Sequence, residues 1–323
     1  MISVIIPTYK RPESLVRTLN SLQEQTLPEV EIIVVDNAAS PELEKLVTEF
    51  NSTARLPIRY LPEAKLGVHN ARHAGARIAQ NPLLIFTDDD ATFEPNWLES
   101  YLNKFIEHPE MVASGGPVRP KWDETPPEWL IKFIEEAKQF RSLLSFMEPF
   151  KEFCLSTKLY FFSVNMAIRR DVLFEVGGFN PEAFGKIWLG DGETGLHNKL
   201  TEKGLLIGYI PEAIVYHHIP AHRMNVEYLC LRMANEGVCE MYARVHKNMP
   251  SRWRLFKQAA SITLRHSRNW IKASTLQNRT DIESIITQIQ AARLQSQVRY
   301  IGRLILDEEF QQLVLKEDWL NEV

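Results

Sequence analysis

The sequence predicts an α/β protein with a mostly parallel central sheet flanked by helices, followed by a helical C-terminal extension. Over residues 1–120, short apolar runs alternate with helix-length amphipathic segments, which is the pattern of β–α–β units. The apolar runs are nearly continuous, as expected for strands that are buried on both faces of a sheet. From residue 224 onward the pattern is almost entirely helical.

Each element follows from local signals. Apolar runs predict the strands 3–6, 31–35, 58–61 and 83–86, and apolar residues at helical spacing predict the helices 12–25, 41–50, 68–79 and 96–107. Prolines then punctuate an irregular stretch from residue 110 to residue 160. Beyond it we expect a β-rich run at 160–169, a helix at about 191–203, and strands at 206–209 and 213–216.

Composition excludes several classes of protein. The chain has 323 residues, 45% of them hydrophobic and 24% charged, which is typical of a globular protein. Its net charge of −4 gives no basic footprint for a nucleic-acid partner. The three cysteines lack the spacing of a zinc site, and neither a signal peptide nor an apolar run of about 18 residues is apparent. We therefore expect a cytoplasmic enzyme.

Charge is distributed unevenly along the chain. Residues 1–250 carry a net charge of −7, whereas residues 251–323 carry +3. This change in charge predicts a boundary at the segment 248–252, which divides the chain into a domain at 1–247 and a helical extension at 248–323.

Carboxylates follow two of the predicted strands. Asp36 ends the second strand, and the run Asp88–Asp90 ends the fourth. In open α/β sheets, ligands bind at the carboxyl ends of the strands. Three adjacent aspartates repel one another unless water or a cation compensates, and Mg²⁺ prefers carboxylate and phosphate oxygens. A solvated acidic turn is the alternative interpretation.

Several motifs in this order resemble glycosyltransferase family 2. They are Pro7-Thr8-Tyr9-Lys10-Arg11, Val34-Val35-Asp36-Asn37, Phe86-Thr87-Asp88-Asp89-Asp90, Gly67 with Ala71-Arg72, the run 163–170, Gly177-Gly178-Phe179, Asp191-Gly192-Glu193 and Val215-Tyr216-His217. The resemblance extends to about residue 245 and implies the GT-A fold, a nucleotide-sugar donor and inversion at the sugar carbon. It also implies a nucleotide-binding half at 1–118 and an acceptor-binding half at 119–247.

The resemblance assigns donor contacts to the first half of the chain. Residues expected at the nucleotide are Pro7, Thr8, Tyr9, Arg11, Asp36, Lys65, Asp88 and Asp89. Asp36 would accept a hydrogen bond from the base, although a simple loop cap is the alternative. Arg11 and Lys65 would face the diphosphate, unless they are ordinary solvated cations. His73 stands where the family usually has asparagine.

The resemblance also implies a divalent cation, Mn²⁺ or Mg²⁺, at the aspartate run. Asp90 is expected as its direct ligand, Asp88 as support, and His217 as a further contact, although a lone histidine after a strand is often structural. The general base is expected at Asp191, with Glu193 in support. The family's usual acid before that base is replaced by Gly190, and both acids could instead favour the positive end of the following helix.

The acceptor side is less defined. Trp122, Trp129 and Asn165 are expected there, because aromatic faces stack well on sugar C–H surfaces. Large aromatic residues also pin irregular loops to a core, so that interpretation stays open. The acceptor itself is expected to be a glycan or a lipid-linked saccharide.

The C-terminal extension contains a basic amphipathic segment. Residues 252–272 carry six Lys or Arg and no acid, and Trp253, Phe256, Ala260, Leu264 and Ile271 share one helical face. This face could pack on the catalytic domain or on a partner subunit, or it could lie on an anionic membrane surface.

The sequence thus predicts an inverting glycosyltransferase that serves polysaccharide or glycolipid assembly, with its oligomeric state left open. Two alternatives remain. A non-catalytic sugar-nucleotide or glycan-binding relative would be expected to lack Asp191 or the aspartate run, and both are present. A metal-dependent nucleotidyltransferase would want a glycine-rich phosphate loop after the first strand, and the segment 7–11 contains no glycine.

Overall fold

The computed structural model describes residues 1–184, 187–277 and 279–321. Its first half alternates strands and helices as the sequence predicts, and the predicted fold class is confirmed. The elements are β1 (Ile2–Thr8), α1 (Pro12–Gln23), β2 (Val30–Asp36), α2 (Pro41–Asn51), β3 (Ile58–Pro62), α3 (Val68–Ile78), β4 (Leu83–Phe86), β5 (Ala91–Phe93) and α4 (Trp97–Glu107).

The second half contains more strands than the sequence indicates. Its elements are β6 (Met111–Gly115), β7 (Val118–Trp122), α5 (Glu128–Glu136), β8 (Cys154–Ser156), β9 (Met166–Arg169), α6 (Arg170–Glu175), β10 (Ala183–Phe184), β11 (Ile187–Trp188), α7 (Gly192–Glu202), β12 (Leu206–Tyr209) and β13 (Val215–Ile219). Short 3₁₀ turns lie at 138–144, 163–165 and 221–223. The stretch from 110 to 160 is therefore not irregular throughout, because β6 and β8 join the main sheet.

Among the described residues, the central sheet has eight strands in the order β3-β2-β1-β4-β9-β6-β12-β8. The pairs β2–β3, β1–β2, β1–β4 and β6–β12 are parallel, whereas β9 runs antiparallel between β4 and β6. Apolar clusters cover both faces, which explains why the strands read as continuous apolar runs. β1, β2 and β4 end at one edge, and the motifs that follow them meet there.

A second sheet joins β5, β13 and β7 beside that edge. In its register His217 lies opposite Ala91, the residue that follows the aspartate run. The backbone N–H of His218 donates to the carbonyl oxygen of Asp90 at 2.8 Å. This small sheet therefore fixes β13 against the loop that ends β4.

The C-terminal region is helical and comprises α8 (Val226–Val245), α9 (Arg252–Thr275), α10 (Ile282–Leu306) and α11 (Glu308–Leu315). α10 packs against both α8 and α9. After α11, the chain returns to the main sheet, where Leu320 is buried in its apolar cluster. The expected division at residue 248 falls between α8 and α9, and it stays a prediction.

Of the three surfaces considered for the apolar face of residues 252–272, the catalytic domain is not the one that covers it. Helix α9 buries Leu255 and Ala273, whereas Trp253, Leu264 and Ile271 are 63%, 80% and 67% exposed. The reason is geometric, because residues two positions apart on a helix point in nearly opposite directions. Since Leu255 and Ala273 face inward, Trp253 and Ile271 must face outward. In the described part of the chain, no helix is both long and apolar enough to cross a bilayer.

Candidate active site

Two adjoining cavities lie where β1, β2 and β4 end. The first is ≈ 450 Å³ and largely apolar, and it is lined by Pro7, Thr8, Tyr9, Arg11, Asn37, Leu66, Gly67, Val68, Ala71 and Glu182. The second is ≈ 160 Å³ and strongly charged, and its lining includes Arg11, Arg72, Asp88, Asp90, Ser163, Glu182, Glu193, His217, Arg223, Tyr228 and Arg232. Arg11 and Glu182 line both cavities, so the two are contiguous.

The turn after β1 is held to the aspartate run by charge-assisted hydrogen bonds. The hydroxyl of Thr8 donates to Asp89 Oδ2 at 2.6 Å, and Arg11 Nη2 lies 2.7 Å from Asp89 Oδ1. Arg11 Nη1 also donates to Asp90 Oδ2 at 2.8 Å. Asp89 is fully buried and therefore acts as the anchor of this turn, with no surface on either cavity.

Asp36 is completely buried, and it caps the loop after β2. Its carboxylate accepts from the backbone N–H groups of Ala38 and Ser40 at 2.8 and 2.7 Å, and from the hydroxyl of Tyr60 at 2.9 Å. The side chain that lines the first cavity is the next one, Asn37. The loop-cap interpretation of Asp36 therefore describes the structure, and the expected contact with a nucleobase has no exposed surface to form on.

Asp90 is surrounded by cationic and imidazole groups. Its Oδ2 accepts from Arg11 and from Arg223, the latter at 3.0 Å, and its Oδ1 lies 3.3 Å from His217 Nε2. Burial acts to raise the pKa of Asp90, but His217, Arg223 and Arg11 together hold that pKa well below its usual range. Burial raises the pKa of its neighbour Asp89 to about 7. Of these two neighbours, Asp90 is therefore the carboxylate that stays charged.

The two adjacent histidines of β13 have different roles. His217 faces Asp90 in the charged cavity. His218 turns away, and its Nδ1 lies 2.8 Å from Asp123 Oδ1 while its Nε2 lies 3.2 Å from Thr92 Oγ1. Of the two histidines, His217 is therefore the one that lines the charged cavity.

A divalent cation fits this end of the cavity. Asp88 is partly exposed and Asp90 Oδ1 is buried without a hydrogen bond. Among the described residues, no three His, Cys, Asp or Glu side chains already form a metal-binding cluster. Mg²⁺ is commonly held by only one or two carboxylates together with substrate phosphates. The residues that would hold such a cation here are Asp88 and Asp90, with His217 beside them.

Arg72 connects the aspartate run to the acids of the second half. It is 3% exposed and it contacts Asp88 at 3.3 Å, Glu182 at 2.9 Å and Glu193 at 3.9 Å. Burial acts to lower the pKa of Arg72, and the three carboxylates more than reverse that effect, so the pKa is raised. This buried guanidinium fixes the position of all three acids.

Glu193 is the acid of α7 that lines the charged cavity. It accepts from the hydroxyl of Ser163 at 3.0 Å and lies 3.5 Å from the hydroxyl of Tyr160. Burial, followed by the negative charge of Glu182, raises the pKa of Glu193 to about 8. A carboxylate with a raised pKa is a stronger base than an exposed one.

Asp191 lies deeper and does not line that cavity. Its Oδ1 accepts from Asn180 Nδ2 at 2.9 Å, and Gly195 leaves room for this pair because a Cβ there would collide with both side chains. Burial raises the pKa of Asp191. It instead borders a small neighbouring pocket of ≈ 50 Å³ that also touches Trp188, Glu193 and Arg232.

Four expected site residues lie elsewhere. Lys65 is exposed and lines neither cavity. Trp122 and Trp129 pack on the apolar cluster of α5 and α8, as aromatic residues that pin a loop would. Asn165 is fully buried, and its side chain forms hydrogen bonds inside the protein. Its Oδ1 accepts from Trp97 and Tyr101. Its Nδ2 donates to the carbonyl oxygens of Pro117 and Ala213. The structure thus gives Asn165 a structural role in place of the expected acceptor contact.

The structure brings to the site residues that the sequence did not identify. Arg72 and Ser163 belong to motifs that resemble those of the family, Ala71-Arg72 and the run 163–170, so the sequence already marked their positions. Glu182, Tyr228 and Arg232 had none beyond the four-residue spacing that puts Tyr228 and Arg232 on one face of α8. All five line the charged cavity.

Comparison with known proteins identifies relatives that transfer sugars. A glucosyl-dolichyl phosphate glucuronosyltransferase of Haloferax volcanii is 26% identical over 251 residues, which is 73% of this chain and 75% of that protein. A validoxylamine A glucosyltransferase of Streptomyces hygroscopicus subsp. jinggangensis is 29% identical over 271 residues, covering 77% of this chain but only 62% of that protein.

Among solved structures, a mannosyltransferase of Pyrobaculum calidifontis in complex with GDP-mannose and Mn²⁺ superimposes with a TM-score of 0.60 at 16% identity. The superposition covers 95% of this chain and 87% of that one. Fold and comparisons therefore define a sugar-transferring enzyme with the GT-A fold. The sequence model of glycosyl transferase family 2 matches residues 3–177, and the chain belongs to that family.

Proposed function

We propose that this enzyme moves a sugar from a nucleoside diphosphate to an acceptor hydroxyl, with inversion at the reacting carbon. One observation carries the proposal: a buried acid with a raised pKa, Glu193, shares a single cavity with the carboxylates of Asp88 and Asp90. Inversion needs direct displacement and a base that removes the proton of the acceptor hydroxyl. In this cavity Glu193 would be the base, and Asp88 and Asp90 would hold the cation that binds the diphosphate.

The nucleoside is assigned to the first, largely apolar cavity, between Tyr9 and the segment 66–68. The diphosphate then reaches the charged cavity, where Arg11, Arg72 and Arg223 supply donors for its oxygens. Asp88 and Asp90, with His217, would hold a divalent cation against it. When bound, that cation supplies charge neutralisation for the departing diphosphate.

Glu193 is the proposed general base, in preference to Asp191. Its carboxylate removes the proton of the acceptor hydroxyl as the new C–O bond forms and the bond from the sugar carbon to the diphosphate oxygen breaks. The nucleoside diphosphate leaves with that electron pair. Asp191 already accepts from Asn180 and borders only the deeper pocket, so we assign it to positioning the start of α7.

The acceptor is proposed to be a saccharide, free or lipid-linked. Tyr228 and Arg232 line the charged cavity together with Glu193, and an aromatic face with a guanidinium suits a sugar ring and its hydroxyls. The dolichyl phosphate in the name of the archaeal relative supports a lipid-linked acceptor.

The test compares two matched variants, Glu193→Gln and Asp191→Asn. Wild-type protein is first screened for thermal stabilisation by nucleoside diphosphates and nucleotide-sugars with Mn²⁺, Mg²⁺ or EDTA, which identifies the donor. We then expect Glu193→Gln to lower kcat about 10²–10⁴-fold at unchanged donor affinity, and Asp191→Asn to lower it far less. NMR of the product reports whether the anomeric configuration is inverted. If Glu193→Gln kept wild-type turnover, Glu193 would not be the base, and no nucleotide-dependent stabilisation at all would favour a non-catalytic glycan-binding protein.

A further inference from the structure

Helix α9 presents an apolar stripe to solvent. Trp253, Leu264 and Ile271 are 63%, 80% and 67% exposed, and Phe256 on the edge of the stripe is 55% exposed. Trp253 and Ile271 are separated by 18 residues, or five full turns of an α-helix, so they lie on one line along the helix. We call these four residues, with Ala260 between them, the α9 stripe.

The stripe is not a packing surface of the fold. The inward side of α9 is formed by Leu255, Ala259, Ile262 and Ala273. Leu255 belongs to the cluster that contains Tyr300 and Ile301 of α10, Ala259 and Ile262 pack against that cluster, and Ala273 is buried. The α9 stripe lies about 160° around the helix from Leu255 and Ala273. Apolar side chains placed so consistently away from the core mark an interaction surface.

Basic side chains border the stripe on one flank. Helix α9 carries six Lys or Arg and no acid. Arg252 and Lys272 pair with Glu308 and Glu283 near the helix ends, at 2.7 and 3.3 Å. In the described part of the chain Arg254, Arg265 and Arg268 form no ion pair, and Lys257 Nζ lies 5.1 Å from the ring centroid of Trp253. The surface that covers the stripe must therefore be apolar at its centre and anionic beside it.

We propose that the α9 stripe docks on the surface of an anionic lipid bilayer. A helix of 24 residues is about 36 Å long and can lie in the headgroup region with its apolar side toward the acyl chains. Lys and Arg side chains held near such a surface are attracted by its negative charge, and tryptophan prefers this interface.

A second copy of this chain fits the same surface less well. In a symmetric dimer the stripe of one protomer would face the stripe of the other, and both basic flanks would meet. Like charges placed opposite each other oppose association, and α9 offers no acid to compensate them.

Docking through α9 has a consequence for the site. α10 packs on α9 and on α8, and α8 supplies Tyr228 and Arg232 to the charged cavity. A bilayer under α9 would therefore hold the acceptor side near lipid. This consequence rests on the proposed function, whereas the docking surface does not.

The test is co-sedimentation of the full chain with vesicles of phosphatidylcholine alone or mixed with phosphatidylglycerol. We expect at least about tenfold tighter binding to the anionic vesicles, weakening as salt is raised. The triple substitution Trp253→Ser, Leu264→Ser and Ile271→Ser should abolish it. A control with equally exposed apolar residues on other helices, Ile106→Ser and Leu231→Ser, should bind as wild type does.

Charge is tested separately. Arg265→Glu with Arg268→Glu should remove the preference for anionic lipid, whereas Lys45→Glu with Lys132→Glu, on exposed faces of α2 and α5, should keep it. Equal binding to both vesicle types, or full binding by the triple variant, overturns the proposal. A concentration-dependent dimer that the triple variant loses would overturn it in favour of self-association. Release of nucleoside diphosphate by the triple variant, with a water-soluble acceptor, is expected at the wild-type rate, which separates this test from that of the proposed function.

Discussion

At the residue scale, the site concentrates charge where water is scarce. Arg72 is almost fully buried among Asp88, Glu182 and Glu193, and Asp90 is shared between Arg11 and Arg223. Buried ionic groups of this kind stabilise a fold weakly or not at all once their desolvation is counted. We infer that these residues are kept for ligand binding and chemistry, at a cost in stability.

That cost can be measured at Glu193, whose pKa is raised from about 4.3 in an unfolded chain to about 8, chiefly by burial. A group with a raised pKa contributes stability that is complete below the unfolded value and is lost as pH rises through the folded value. Glu193→Gln should therefore raise the free energy of unfolding at pH 8.5 by roughly 2–4 kcal/mol over wild type, and by almost nothing at pH 4. Urea denaturation at the two pH values checks this, and a difference independent of pH would contradict it.

Asp90 gives a second prediction, with metal as the variable. Asp90→Asn should weaken binding of the donor nucleotide at least tenfold in Mn²⁺. In EDTA it should not weaken binding, because Arg11 and Arg223 are then relieved of their shared carboxylate. Isothermal titration with the nucleoside diphosphate checks both arms. His218→Asn is the matched control, since His218 turns toward Asp123 and should leave the metal dependence intact.

Which site residues could be predicted depended on where their signal lies. The aspartate run was readable because three acids after a buried strand need a partner. Asp36 gave the same signal, yet its oxygens are used by the backbone of its own loop, which composition does not reveal. Glu182 and Arg232 reach the cavity from a loop and a helix far along the chain, so only the tertiary fold brings them to Asp88.

At the scale of elements, α8 is the piece that links the site to the C-terminal helices. Gly237 sits on its inner side, where α10 passes so closely that an added Cβ would meet Ser296 Oγ and lie 2.5 Å from the carbonyl oxygen of Arg293. The two helices, α8 and α10, approach this closely because Gly237 has no side chain. The orientation of Tyr228 and Arg232, on the same helix, depends on it.

Gly237→Ala should therefore destabilise the protein by about 1–3 kcal/mol, as overpacking does. Gly302→Ala is the control on α10, because nothing lies within 4 Å of a Cβ at that position, and alanine there should be neutral or stabilising by up to about 1 kcal/mol. Urea midpoints at equal denaturant slope measure both changes. Equal effects of the two substitutions would show that the close approach of α8 and α10 does not govern packing.

Elements were predictable where their hydrophobic pattern was long enough. β1, β2, β4 and the helices between them follow directly from periodicity. β5 and β8 have three residues each, too short for a pattern, and they form only because neighbouring strands offer hydrogen-bonding edges. The prolines near residue 120 suggested a loop, yet β7 is an edge strand of the small sheet, where proline is tolerated.

At the scale of the whole molecule, the C-terminal extension closes back on the catalytic sheet. Arg77 of α3 donates to the carbonyl oxygen of Leu320 at 2.6 Å, and Lys199 of α7 donates to that of Glu317 at 3.3 Å. The side chain of Leu320 is 1% exposed within the main apolar cluster. The boundary predicted from charge at residue 248 thus separates two segments that share one core.

If the extension is part of that core, shortening one buried side chain near its end should destabilise the whole protein. Leu320→Ala should lower the free energy of unfolding by about 2–4 kcal/mol, since it removes buried methyl groups and leaves a cavity beside α3 and α6. Leu306→Ala, at a leucine that is 85% exposed, should change it by less than about 0.5 kcal/mol. Urea unfolding followed by far-UV circular dichroism measures both, and one transition shifted as a unit is the expected result for Leu320→Ala. A shift confined to an early, partial transition would instead mean that the extension unfolds separately from the catalytic domain.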